Sequence, residues 1–189
     1  MLKKLVLVSV LVAGAALSSV ASAGLIYASG VTNVVVGTGQ GTTNDRDNIN
    51  NLLGSPDGTF YELGRGGIVD LVFGALPGEL FGQNGIVGEV TFGNAAAFPE
   101  SADIFAGLLG VFQFVTSFTN TDAQSGFQFG LGGPFDTLRI VDTTTSGPSL
   151  GGVDIDYVGV YAVPEPTSIA LMGLGCVLLG FRKKFLLRK

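Results

Sequence analysis

The side chains that could carry chemistry in this 189-residue chain are almost all carboxylates and carboxamides. Residues 24–163 hold 14 acidic side chains against three cations, Arg46, Arg65 and Arg139, a net charge of −11, so nucleic acid is not expected as a partner. The chain has no His and a single Cys, Cys176. That excludes a Ser-His-Asp triad, an imidazole base, a His-ligated metal, a disulfide and a thiolate zinc site. Two kinds of carboxylate chemistry remain. Paired acids among Glu62, Asp70, Glu79 and Glu89 would suit a glycosidase. Fourteen acids form such pairs by chance, however, and no enzyme is expected. The oxygen-rich run Asn44, Asp45, Asp47, Asn48 and Asn50 would suit Ca²⁺. Asp154 and Asp156, two apart on the last expected strand, point to one face and would complete a site if that strand lies beside the early loop. Structural calcium held by Asp45, Asp47, Asp154 and Asp156 is therefore the one candidate cofactor. The other reading is a solvated turn with Asx caps, which needs no ion, and Ile49 breaks any EF-hand spacing.

Other motifs read more simply. Gly37-Thr38-Gly39-Gln40-Gly41 has its third Gly one residue early for a dinucleotide loop and is read as a turn. Ser55-Pro56-Asp57-Gly58 is a β-turn. Arg65 and Arg139 are expected in ion pairs, with a sugar or a carboxylated polymer as the other partner one of them could bind. The chain has no Trp, and its 14 Phe read as core.

The elements that must position these residues are strands. Residues 24–163 contain 26 of the 30 glycines, and Gly costs a helix about 1 kcal/mol relative to Ala. The intervening stretches are β-branched and aromatic: 31–36, 59–63, 68–73, 86–92, 111–119, 127–131, 136–142 and 153–163. In 111–119, strict alternation puts Phe112, Phe114 and Phe118 on one face and Gln113 and Ser117 on the other. Short helices are expected around 103–110 or 47–53. The fold class is all-β, an antiparallel β-sandwich of jelly-roll type.

Both ends differ from this body. Lys3 and Lys4, the apolar run 5–17 and the small residues Ala21 and Ala23 make residues 1–23 a signal peptide, cleaved by signal peptidase after Ala23. At the other end Pro164-Glu165-Pro166 precedes 15 uncharged residues, 167–181, and the basic cluster Arg182, Lys183 and Lys184. Residues 167–181 are expected as a transmembrane helix, with the basic tail on the cytoplasmic side and the body across the membrane. The domains are thus 1–23, 24–163 and 164–189.

This last arrangement resembles the PEP-CTERM sorting signal of Gram-negative bacteria. The resemblance implies recognition by exosortase, transient anchoring in the inner membrane, cleavage near Pro164-Glu165-Pro166 and transfer to the cell surface or extracellular matrix, in association with exopolysaccharide and biofilm. A second resemblance rests on Leu53-Gly54-Ser55-Pro56-Asp57-Gly58, Leu63-Gly64-Arg65-Gly66-Gly67, Leu138-Arg139-Ile140-Val141-Asp142 and Gly152-Val153-Asp154-Ile155-Asp156. It is similar to extracellular bacterial domains of galactose-binding-like and discoidin-like fold, from which it departs in the Ala- and Gly-rich stretch 93–110. Together these imply an exported, non-catalytic surface protein; the alternatives are a carbohydrate-binding module, Ca-dependent in one form, and a carboxylate-dependent glycosidase.

Overall fold

Nine strands form among the residues that the computed structural model describes, 24–74, 80–91, 94–145 and 151–162. They are β1 (Leu25–Val35), β2 (Tyr61–Glu62), β3 (Ile68–Phe73), β4 (Phe81–Glu89), β5 (Ser101–Leu108), β6 (Val111–Thr119), β7 (Phe127–Phe135), β8 (Thr137–Asp142) and β9 (Asp154–Ala162). A four-residue helix, α1 (Asn120–Ala123), links β6 to β7. Ala21, Ala23, Glu79, Pro164, Glu165, Pro166, Arg182, Lys183, Lys184 and the expected transmembrane helix 167–181 lie outside the described residues. No helix among the described residues is long and apolar enough to cross a membrane.

Every strand pairing is antiparallel, and the order is β6-β5-β8-β3-β1-β9-β4-β7, with β2 beside β9. β1 serves two layers. Leu25, Ile26 and Tyr27 pair with β9, while residues from Ala28 onward pair with β3 through two register shifts that bend the strand. Between the layers, Val69, Leu71, Leu138 and Ile140 face Phe81, Val87, Phe135 and Val158 in one core. Phe73 makes edge contacts to Phe81 and Phe135 at 5.7 and 6.3 Å between ring centroids. Burial of such side chains contributes about 1.5–3 kcal/mol each. Gly24–Val163 forms one compact unit with its own core.

The expected strands 68–73 and 111–119 form with those bounds, but three expectations need correction. Residues 103–110 are not helical: they form most of β5 and its turn, because β5 is clasped between β6 and β8 and buries Ala102 and Ile104. Gly107 is required there, since a Cβ would lie 2.6 Å from the Phe112 ring. β4 begins five residues before the expected start, as Phe81 pairs with both Ala162 and Phe135. The alternation in β6 is broken by a register shift between Ile104 and Phe105 that leaves Val115 as an extra residue. Phe118 turns inward and is buried, whereas Phe112 and Phe114 turn outward. Near the other expected helix, Ile49–Leu52 forms a single 3₁₀ turn capped by the Asn48 side chain.

The β5–β6 hairpin closes through Leu109 and Gly110, at φ of 53° and 81°. Such a two-residue turn needs positive φ at both positions, where Asn-Gly is favoured and Leu is strained. Leu109 is also 88% exposed, so its side chain recovers nothing by burial. Leu109→Asn is expected to stabilise the domain by about 1 kcal/mol in denaturant unfolding of residues 24–163. A loss of stability would show that the Leu side chain holds the turn.

Candidate functional site

Strand directions gather the long connections at one end of the sandwich, where the Asp142 carboxylate joins them. It accepts hydrogen bonds from Gly66 N at 3.2 Å, Thr144 N at 3.0 Å, Thr144 Oγ1 at 3.1 Å and Val153 N at 2.9 Å. Leu63 N donates to Val153 O, and Gly37 N to Leu63 O. Gly37 and Gly64 lie back to back, with a Cβ on Gly37 only 2.3 Å from the Gly64 backbone, so both positions exclude a side chain. The Gly37–Gly41 run is thus a packed turn, bridged at Thr38 to Arg65. Asp156 anchors another connection, accepting from Asp57 N at 3.2 Å and Gly58 N at 3.3 Å. The Pro-Asp-Gly turn and the Leu-Gly-Arg-Gly-Gly segment, read separately in the sequence, meet the end of β8 and the start of β9 here.

The same end buries a group of carboxylates. Glu62 opposes Asp154 across β2 and β9, and Arg46 Nη1 lies 3.6 Å from Glu62 Oε2, which also accepts from Gly41 N. Glu89 accepts from Thr91 Oγ1 at 2.6 and 2.7 Å. Burial pushes the Glu89 carboxyl up to about 8, and repulsion by Glu100 adds to this. Asp154 is also pushed up to about 8, first by burial and then by Glu62 and Glu100, with Arg46 opposing. Its Oδ1 is buried without a hydrogen bond. The candidate calcium residues are therefore dispersed in their bonding. Asp45 Oδ2 accepts from Asn48 Nδ2, Asp156 serves the Asp57-Gly58 turn, and Asp154 stands beside Arg46 and Glu62. Asp47 is exposed. The early loop does reach β9, through Arg46, but no group of three acidic, His or Cys side chains among the described residues is placed to hold a metal ion.

A different arrangement lies on the outer face of the layer containing β3, β8, β5 and β6. Arg139 donates from Nε and Nη2 to Asp70 Oδ1 and Oδ2 at 2.7 and 2.8 Å, a bidentate ion pair. The guanidinium carbon lies 3.8 Å from the Phe112 ring centroid. Phe114, 59% exposed, meets Phe105 edge-on at 5.7 Å. Phe114 also borders a groove of about 650 Å³ between β6 and β7, lined further by Gln113, Val115, Gly130, Gly132 and Pro134. Of the acids weighed for hydrolysis, Asp70 is thus neutralised by Arg139 and separated from Glu62 and Glu89 at the loop end. The ion pair was expected for Arg139. The exposed ring of Phe114 was not, because only the bulge at Val115 turns it outward.

Comparison with known proteins finds a family match at the C-terminal end and structural neighbours for the body. The family description "PEP-CTERM protein-sorting motif" matches residues 162–188. Among solved structures, the C-terminal domain of a chitobiase from Bacteroides fragilis is 9% identical, with a TM-score of 0.50, over 71% of this chain and 93% of that one. A family 32 carbohydrate-binding module of AlyQ, in complex with 4,5-unsaturated mannuronic acid, is 13% identical with a TM-score of 0.44, over 73% of this chain and 98% of that one. The family 32 module from C. perfringens NanJ, in complex with galactose, is 14% identical with a TM-score of 0.43, over 73% and 99%. At these identities the likeness is one of fold. No curated protein matches the chain in sequence.

Raised carboxyl values give the loop end a pH signature. With folded values near 8 for Glu89 and Asp154, against ordinary values of 4.5 and 3.8, the folded chain holds protons that the unfolded chain releases. Stability therefore falls as pH rises from about 4 to about 8 and is level above that window. The thermal midpoint should be higher at about pH 5 than at about pH 8, and Asp154→Asn should raise it at pH 8 by about 3–6 °C. A wild-type midpoint that climbs toward pH 8 would contradict this assignment.

Proposed function

We propose that this chain is exported, anchored transiently by its C-terminal PEP-CTERM segment, processed by exosortase near Pro164-Glu165-Pro166 and delivered to the cell surface. There its body, a jelly-roll-type sandwich, engages exopolysaccharide without turnover. The sorting motif matched at 162–188 carries this reading. It is supported by a signal-peptide pattern at 1–23, cleaved after Ala23 by signal peptidase, and by a basic tail that keeps Arg182, Lys183 and Lys184 cytoplasmic. The mature body would lose both basic ends and keep a charge of −11, so an anionic polymer would be repelled unless cations bridge it. Calcium enters in that role. Replacing Pro164, Glu165 and Pro166 with Ala should leave the protein unprocessed in the membrane fraction of its native host. Unchanged processing and surface delivery would overturn the route.

A carbohydrate-binding module is the second reading, and one observation favours it. Phe114 presents an exposed ring beside the Phe112–Arg139–Asp70 assembly, and such a ring can cover the apolar face of a sugar. The assembly is rigid because Asp70 occupies both inner donors of Arg139. Binding of residues 24–163 to a defined glycan should be saturable, and Phe114→Ala should weaken it about tenfold without unfolding the domain. Running the same glycan array with and without EDTA tests the calcium role. An array blank under both conditions leaves the structural reading alone. An enzyme would instead shorten the polysaccharide on long incubation.

A further inference from the structure

The end of the sandwich opposite the loop cluster carries an apolar tip. Leu108, Leu109 and Val111 surround the β5–β6 turn, with Leu109 88% and Val111 67% exposed. Residues 104–121 contain no charged side chain. Among the described residues one carboxylate, Asp136, lies at this tip: its Oδ2 accepts from Leu109 N and its Oδ1 from Thr137 Oγ1. A bend at this position is ordinarily built from Asn and Gly, so a Leu in the left-handed region gives up local stability in order to display an apolar side chain.

Strand register places the chain's exit beside this tip. Ala162, the last residue of β9, pairs with Phe81, and Phe81 pairs with Phe135. Asp136 follows directly, bonding through its N to Gly107 O and through its carboxylate to Leu109 N. Leu80, also exposed, precedes Phe81 at the same end. From Ala162 to Thr167, where the 15 uncharged residues begin, five extended residues span at most about 18 Å. A chain held in a bilayer at 167–181 must keep this end of the sandwich close to the lipid, and so short a tether makes the local concentration of tip and membrane high.

We infer that Leu80, Leu108, Leu109 and Val111 form a membrane-resting surface that contacts the lipid bilayer while the C-terminal segment still anchors the chain. This inference rests on the anchoring step of the proposed function. The contact orients the body with its loop end outward and holds the 163–166 segment at the membrane surface, where a membrane-embedded transpeptidase can reach it. Lipid is the partner that fits an apolar tip attached to a membrane-directed segment. Apart from Asp136 at the tip and Asp70 within the sheet, the acidic side chains of the described residues lie toward the loop end, away from anionic headgroups.

The absence of Trp from the chain makes the test direct. Full-length protein carrying Leu109→Trp, and a control carrying Gln124→Trp in the exposed α1 turn at the other end, would be reconstituted into vesicles of phosphatidylethanolamine and phosphatidylglycerol with and without brominated lipid. The Leu109→Trp protein should show blue-shifted emission and lose about half of it to brominated lipid, while Gln124→Trp emission stays unchanged, since an indole settles at the lipid interface when it can reach it. Protein that floats with the vesicles but shows no quenching at position 109 overturns the inference and leaves the anchoring reading intact. Equal quenching at both positions overturns the orientation. A blue shift that follows protein concentration and ignores brominated lipid assigns the tip to a second copy and also overturns the inference. Protein that fails to float refutes anchoring, and the inference falls with it.

Discussion

One buried carboxylate, Asp142, holds the loop end of this protein together. It takes hydrogen bonds from the segment before β3, from its own strand end and from the segment before β9, positions as far as 76 residues away in the chain. Hydrogen bonds to a charged acceptor contribute about 1.5–3 kcal/mol each, and losing the acceptor leaves several buried N–H groups without a partner. β9 in turn carries the central pairings with β1, β2 and β4. The node therefore fixes where β9 begins, and β9 fixes where the chain leaves the body. The Gly-rich segments at this end are explained by the same node, because Gly64 and Gly37 approach too closely for any side chain.

The two ends of the sandwich have opposite chemistry. At the loop end, Glu62 and Asp154 are buried beside Arg46, which partly offsets their repulsion, and Glu89 is buried near Asp154, while Asp45, Asp47, Asp57 and Asp122 are exposed. At the other end lie both the first strand residue, Leu25, and the last, Ala162, together with the apolar tip. The proposed tether through the C-terminal strand would set the apolar end against lipid and the acidic end outward. Phe114 lies along the flank, on a bulged edge strand beside the groove. Among the described residues it is the most exposed aromatic ring, and Phe98 is the other one that is exposed.

Much of this was legible in the residues, and the exceptions have physical causes. Strands 68–73 and 111–119 follow from β-branched and aromatic runs bounded by Gly. Residues 101–108 do not announce themselves as a strand, because Ala and Gly suit a clasped strand only when neighbours supply the packing. Alternation in β6 predicts one face for three Phe residues, yet Val115 adds a residue and divides them. The Asp70–Arg139 pair forms because two strands distant in sequence lie in register, which composition cannot state. The same holds for Asp156, whose turn partner lies 99 residues earlier. The acidic loop at 44–50 is the instructive case at the site: Asn48 and Asp45 satisfy each other and the local backbone, the behaviour of an Asx-capped turn.

In the proposed route, surface delivery removes both basic ends and leaves the folded body. Intact-mass spectrometry of the protein recovered from the cell surface of its native host tests that claim most directly. The expected species begins at Gly24 and lacks Arg182, Lys183, Lys184, Arg188 and Lys189, with its C-terminus near Pro164-Glu165-Pro166. A surface species that retains the basic tail would contradict it.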